Sequence, residues 1–246
     1  MTHHSYFTGF AGLDFAAQLC GISTTQQCEK NKFCIKFCNY FFPGVPMYRD
    51  IYKIDKNLIE YADIASAGFP CQNISHCGDG SGIYGEKSKT LFQFLDIAFH
   101  VRYRYLLFEN SAIFPIRGME QLLCKLAQNG YDAQWVCLQA SDFGYTHERK
   151  RIFIVAYPSQ DRPPRNLFRP VETIQLHSKP TTSDETYLRI TDKSIHTEGN
   201  YYDLCGVDGF SRNYRQIIAG LGNAVNITMA EYVYRCILDF NNEYFW

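Results

Sequence analysis

The chain has 246 residues, 46% of them apolar, and a formal net charge of −1. That length fits one large domain, or one domain with a small insertion, and supplies enough apolar side chains for a sizeable core. No run of about 18 apolar residues occurs, so no membrane-spanning helix is expected, and the near-neutral total gives no sign of a polyanion partner.

The amino-terminal residues Met1-Thr2-His3-His4-Ser5 lack a basic stretch followed by an apolar one, so no secretory signal is read there. The ten cysteines lie scattered in apolar segments and form no Cys-x-x-Cys pair. They are expected to be reduced thiols of a cytoplasmic protein, with no structural metal. Charge is uneven: residues 149–215 carry eleven basic against eight acidic side chains, a modest excess compatible with phosphate contacts or with plain solvated surface.

Ser5-Tyr6-Phe7-Thr8-Gly9-Phe10-Ala11-Gly12-Leu13-Asp14 reads as a strand, a small-residue turn and a helix start. Such a turn lets a ligand approach backbone N–H groups near a helix amino terminus. A helix over 13–20 leads to a strand ending in Gln27-Cys28-Glu29. An acid about 20 residues beyond the glycine turn suits the hydroxyls of a ribose; the alternative for Glu29 is an exposed strand-end carboxylate. A helix over 31–42, closed by Pro43-Gly44, precedes a third strand end at Arg49-Asp50-Ile51. In order on successive β–α units, these three signals describe a nucleoside-containing cofactor crossing half a parallel sheet.

Ala62-Asp63-Ile64-Ala65-Ser66-Ala67 reads as a buried parallel strand that delivers Gly68-Phe69-Pro70-Cys71-Gln72 at its carboxyl end. The glycine-rich stretch beyond Cys71 is expected to act as a lid. A rigid thiol under a flap suggests covalent catalysis, and a structural core cysteine before an ordinary loop is the competing reading. Residues 80–88 imitate a phosphate-binding loop, but the required Gly-Lys step is missing, so no nucleoside triphosphate is expected.

A helix over 88–100 and a buried strand over 103–108 bring Glu109-Asn110 to the same sheet rim. Met119, Leu122, Leu123 and Leu126 recur at helical spacing as core, with Gly130 as cap. Segments 131–140 and 151–156 flank Gly144-Tyr145 as a hairpin closing the sheet with one antiparallel edge strand, and Arg149 and Arg151 share one face. Residues 158–203 turn rich in Pro, Thr, Ser and Arg and show no long period, as expected of an inserted recognition segment. Order returns near Tyr214, and Met229, Val233, Cys236, Ile237 and Phe240 stripe a final helix.

Taken together, Phe7-Thr8-Gly9-Phe10-Ala11-Gly12, Glu29, Asp50-Ile51, Gly68-Phe69-Pro70-Cys71-Gln72, Lys89-Thr90-Leu91-Phe92, Phe108-Glu109-Asn110, Arg149-Lys150-Arg151 and Gly222-Asn223-Ala224-Val225 resemble the cytosine-5 DNA methyltransferases, in the family's order. Four departures stand out: Ala11 and Leu13-Asp14 where the family often has more glycine, Ser111 where it usually has valine, Thr146-His147 where it usually has Pro-Gln, and a segment between the two halves, 158–209, that is short for a domain that reads DNA.

The resemblance implies an α/β, Rossmann-like class I methyltransferase fold. Its S-adenosylmethionine-binding catalytic domain would comprise residues 1–157 and 210–246, with a small target-recognition segment at 158–209. It implies double-stranded DNA as partner of a monomeric bacterial or phage modification enzyme, a helper subunit being left open. By the same resemblance Cys71 is the nucleophile toward C6 of a flipped-out cytosine, Glu109 the acid at N3, and Arg149 and Arg151 hold the base carbonyl and flanking phosphate. The cofactor would contact Phe7, Gly9, Gly12, Glu29, Asp50, Ile51, Pro70, Leu91, Asn223, Ala224 and Val225. Two other functions compete: a tRNA methyltransferase on the same fold, and a non-catalytic nucleic-acid binder. Cys71, Glu109 and both arginines together argue against the binder.

Overall fold

A computed structural model describes residues 1–69, 89–145, 148–159, 166–177 and 225–242. Cys71, Pro70, Asn223, Ala224, the expected lid and most of the recognition segment lie outside these residues.

Seven described strands form one sheet: β1 (Thr2–Tyr6), β2 (Ser23–Cys28), β3 (Met47–Tyr48), β4 (Ile64–Ala67), β5 (Tyr105–Ser111), β6 (Tyr131–Gln139) and β7 (Lys150–Pro158). Their spatial order is β3-β2-β1-β4-β5-β7-β6. The first five are parallel, and β7 runs antiparallel between β5 and the outermost β6. The antiparallel pairing therefore falls at the edge where the sequence predicts the hairpin. From β1 the order proceeds both ways, outward through β2 and β3 and outward through β4 and β5. The crevice between β1 and β4, at their carboxyl ends, is the place where such sheets bind ligands.

Helices cover both faces because alternate strand residues are apolar in both directions. Tyr105 and Leu107 of β5 pack with α1 (Gly12–Leu19), α2 (Lys32–Phe41) and α6 (Ile227–Asn242). Leu106 and Phe108 pack on the other face with α3 (Lys89–Val101) and α5 (Met119–Gln128). Asn31 caps α2, its side chain accepting from the N–H groups of Phe33 and Cys34, so a favoured capping residue sets where that helix begins.

The β1–α1 turn is backbone-constrained. Phe7, Gly9 and Ala11 have φ of 57°, 55° and 55°, a left-handed region that glycine enters freely and other residues enter at a cost. Beneath it Asp14 is fully buried, accepting from Ser5 Oγ at 2.9 Å and Gln27 Nε2 at 2.8 Å. These bonds stabilise the anion, yet desolvation dominates and raises its pKa to about 6.

Candidate active site

The ends of β1, β2, β3, β4 and β5 converge on a cleft of about 360 Å³. Among the described residues its walls come from Phe7 and Gly9, from Cys28, Glu29 and Lys30, from Arg49 to Tyr52, from Gly68 and Phe69, from Thr90, and from Glu109 to Ser111 with Arg151. That volume lies within the range of ordinary small-ligand pockets.

Glu109 sits at the deep end, 7% exposed, on the face of β5 that carries Tyr105 and Leu107. Arg151 pairs with Ser111 in register across the antiparallel ladder and turns its Nε to within 2.9 Å of Glu109 Oε1. The contact is an ion pair at close range rather than a well-aligned hydrogen bond. Burial pushes the Glu109 carboxyl above its ordinary pKa, and the charges of Arg151 and then Arg149 oppose that rise. A carboxyl so placed keeps its proton to a higher pH than a solvated one does, which suits it to donate that proton.

The second carboxylate oxygen looks across the crevice. A methyl group added at Gly68 would lie 3.8 Å from Glu109 Oε2, 3.9 Å from the Phe7 carbonyl and 3.9 Å from Val225 Cγ2. Strands β1, β4 and β5 and the segment leading into α6 thus meet around one glycine. Asn110, on the opposite face, donates from Nδ2 to the Phe69 carbonyl at 3.3 Å. Phe69 is also fixed by its ring, edge-on to buried Phe114 of α4 (Phe114–Arg117) at 5.3 Å between centroids. Two residues past this doubly held peptide comes Cys71.

At the other end of the cleft, Glu29 follows β2. Its Oε2 accepts the Gly9 N–H at 2.8 Å and its Oε1 the Asn31 N–H at 2.6 Å, so it ties the glycine turn to the start of α2. A carboxylate has lone pairs left for two further donors, such as ribose hydroxyls. Asp50 caps a short turn by accepting the Tyr52 N–H at 3.1 Å and presents buried Ile51 beside it.

Of the residues singled out from the sequence, Phe7, Gly9, Glu29, Asp50, Ile51, Glu109 and Arg151 line this one cleft, and Val225 borders it through Gly68. Gly12 is the buried first residue of α1, outside the lining, and Leu91 is fully buried beneath it, with neighbouring Thr90 in the wall. Arg149 lies just before β7 and acts on Glu109 through its charge. Sequence reasoning gave no role to Asn110, Lys30, Arg49, Tyr52 or Thr90. Lys30 and Arg49 adjoin strand-end carboxylates, a positional signal that was there to use, whereas the reach of Asn110 to Phe69 requires the parallel β4–β5 register.

A doubly wound sheet in this order, with an acid and a nucleoside-sized crevice at its switch point, is the architecture of the Rossmann-like class I methyltransferases. Two solved structures share it: the Dnmt2 methyltransferase of S. pombe (TM-score 0.68, 14% identity, 98% of this chain and 99% of that one) and the methyltransferase EhMeth of Entamoeba histolytica (TM-score 0.69, 14% identity, 98% of each chain). The model of the C-5 cytosine-specific DNA methylases matches residues 1–239, and the chain belongs to that family. Its relatives include the Type II methyltransferase M.DsaV of Dactylococcopsis salina, 30% identical over 65% of this chain and 46% of the relative. Another is the Type II methyltransferase M2.BsuMI of Bacillus subtilis, 28% identical over 83% of this chain and 51% of the relative. The chain spans about half the length of these curated relatives.

Proposed function

We propose that the protein transfers a methyl group from S-adenosylmethionine to carbon 5 of a cytosine extruded from double-stranded DNA, as a modification enzyme of a bacterium or phage. The observation that carries this reading is the buried Glu109–Arg151 pair facing, across Gly68, the peptide that leads to Cys71.

The cleft's donor set fits the cofactor: Glu29 for the ribose, Asp50, Ile51 and Phe7 for the adenine, and Gly9 toward the methionine part, with Asn223 to Val225 and Pro70 assigned nearby by family likeness. When bound, the cofactor supplies an electrophilic methyl group.

The chain's residues then prepare the acceptor. Cytosine C5 is a poor nucleophile, so the Cys71 thiolate adds to C6, and the displaced ring electrons give C5 enamine character. Glu109 donates a proton at N3 as negative charge develops there, and Arg151 keeps the resulting carboxylate paired. Arg149 and Arg151 hold the base carbonyl and the adjoining phosphate. After C5 is methylated, loss of the C5 proton to solvent forms the C5–C6 double bond and expels the thiolate from C6, and the N3 proton returns to Glu109, so the enzyme ends unchanged. Only an extruded base reaches a site at the floor of a cleft.

Incubation with methyl-labelled cofactor and either plasmid DNA or bulk tRNA tests the proposal. Label in DNA, mapping to cytosines, is the expected result. Label in tRNA alone would favour an RNA methyltransferase, and label in neither would leave a binding protein. Cys71→Ser should retain cofactor binding but form no covalent adduct with DNA carrying 5-fluorocytosine at the mapped cytosine, and a persistent adduct would remove Cys71 from its role.

A further inference from the structure

We infer that Ser111 is a substrate-contacting residue whose hydroxyl, beside Arg151, binds the phosphate of the extruded nucleotide; this rests on the methyl-transfer reading above. Ser111 stands two residues past Glu109 on β5, so both side chains project to the same face, and both line the cleft. One strand repeat, roughly 6.6 Å at the usual rise per residue, separates them, which moves Ser111 outward from the floor where the acid sits.

Its partner in register is Arg151. Directly opposed residues of antiparallel strands bring their Cβ atoms within about 5.5 Å, so the hydroxyl lies beside the guanidinium stem. Arg151 has committed Nε to Glu109, and Nη1 donates to the Lys150 carbonyl at 2.9 Å. Three of its five N–H groups are left: the second on Nη1 and both on Nη2. The Ser111 N–H is likewise committed, to Asn110 Oδ1 at 2.8 Å, while the hydroxyl makes no hydrogen bond among the described residues.

A neutral hydroxyl and an outward guanidinium N–H, side by side above a buried acid, form a two-donor site. A base seated against Glu109 places its own sugar and phosphate toward the opening, so the group that meets this pair is an anionic oxygen of the backbone. The base edge itself is served from the floor. A valine at this position would cover the same surface and offer no donor.

The test compares side chains of one shape that differ in the hydroxyl. Ser111→Thr and Ser111→Val are nearly isosteric, and Ser111→Ala removes the donor without adding bulk. Steady-state methylation of plasmid DNA by the wild type establishes the underlying reaction, so a silent wild type counts against that reaction and is not confused with the result for Ser111. With an active wild type, Ser111→Thr should keep the KM for DNA within about threefold, while Ser111→Val and Ser111→Ala raise it about tenfold or more, the scale of a hydrogen bond to a charged group. The KM for S-adenosylmethionine, kcat and the melting temperature should stay as in the wild type.

A duplex built around the mapped cytosine, with one neutral methylphosphonate at its phosphate, gives the second readout. That substitution should weaken the wild type and Ser111→Thr more than Ser111→Val. Equal KM values for the threonine and valine variants would overturn the inference, as would an alanine variant indistinguishable from wild type or a methylphosphonate penalty independent of residue 111.

Discussion

Removing Arg151 asks how strongly the buried pair is coupled. Arg151 Nε lies 2.9 Å from Glu109 Oε1, and the two side chains are 22% and 9% exposed. Deleting one member of a buried pair strands the other and costs about 3–5 kcal/mol, which puts this case at or just below the low end, about 2–3 kcal/mol, because Arg149 still opposes the charge and Arg151 is partly wet. For a chain of this size, Arg151→Ala should therefore lower the melting temperature by roughly 4–12 °C.

The double mutant isolates the coupling. In a Glu109→Gln background no charge is stranded, and the same arginine deletion should cost about 1 kcal/mol or less. The pH dependence comes from the sign of the shift. Glu109's folded pKa is already raised by burial, and loss of Arg151 raises it further. A raised carboxyl favours the folded state at low pH and loses that contribution as pH climbs through the folded value. The melting deficit of Arg151→Ala should therefore shrink in acid and widen toward neutrality, and the alkaline limb of its residual pH–rate profile should move upward. Equal destabilisation in both backgrounds, with a deficit that ignores pH, would refute the coupling and with it the account of how the acid is held.

Further outcomes are expected elsewhere in the molecule. Asn110→Ala frees the Phe69 carbonyl and should cut kcat about tenfold or more with little change in cofactor KM, checked by steady-state kinetics in both substrates. Ala11 sits buried at φ 55°, so Ala11→Gly should be neutral or stabilising by up to about 1 kcal/mol in urea titrations, and a clear loss would mean the methyl group packs better than the backbone strains. His3 and His4 are buried, bonded to Ser66 and Tyr103 respectively, with pKa values lowered by desolvation to about 3 and about 4. The unfolded chain therefore takes up their protons first, and stability present above about pH 6.5 should fall by a few kcal/mol toward pH 4. Asp14, raised to about 6, works the other way over pH 6 to 4 but is one group against two. Urea midpoints at pH 7.5 and 5 check the balance, and a flat profile would contradict it.

The β–α alternation was legible because parallel strands buried on both faces are written as short apolar runs ending in Gly, Glu or Asn. Ile64–Ala67 and Tyr105–Ser111 are of this kind. Strand-end carboxylates were legible for the same reason: a polar residue closing a buried strand has to sit at the rim, as Glu29 and Glu109 do. The lateral arrangement could not be read. Sequence spacing says that Arg149 and Arg151 share a face but not which strand lies opposite, and it is the β5–β7 ladder that delivers Arg151 to Glu109. Leu91 and Gly12 were assigned by position within motifs, whereas the structure puts Leu91 in the core and its neighbour Thr90 in the wall. Ala11 shows the converse: a departure from glycine accommodated by a left-handed alanine without loss of the turn.

The reversed direction of β7 fixes an itinerary for the chain beyond it. Because its first residues stand at the cleft, its last, Pro158, leaves the sheet at the opposite rim, where the Ser159 N–H meets the Gly130 carbonyl. The described chain resumes at Asn166 on the catalytic body. Leu167 docks on Gln134, the Arg169 carbonyl receives the Tyr232 hydroxyl, and His177 reaches Glu231, about 6 Å of helix rise below the top of α6. The described residues 166–177 are thus held along β6 and α6. Substitutions at Leu167, Arg169 or His177 would therefore act on the anchorage of this segment to β6 and α6.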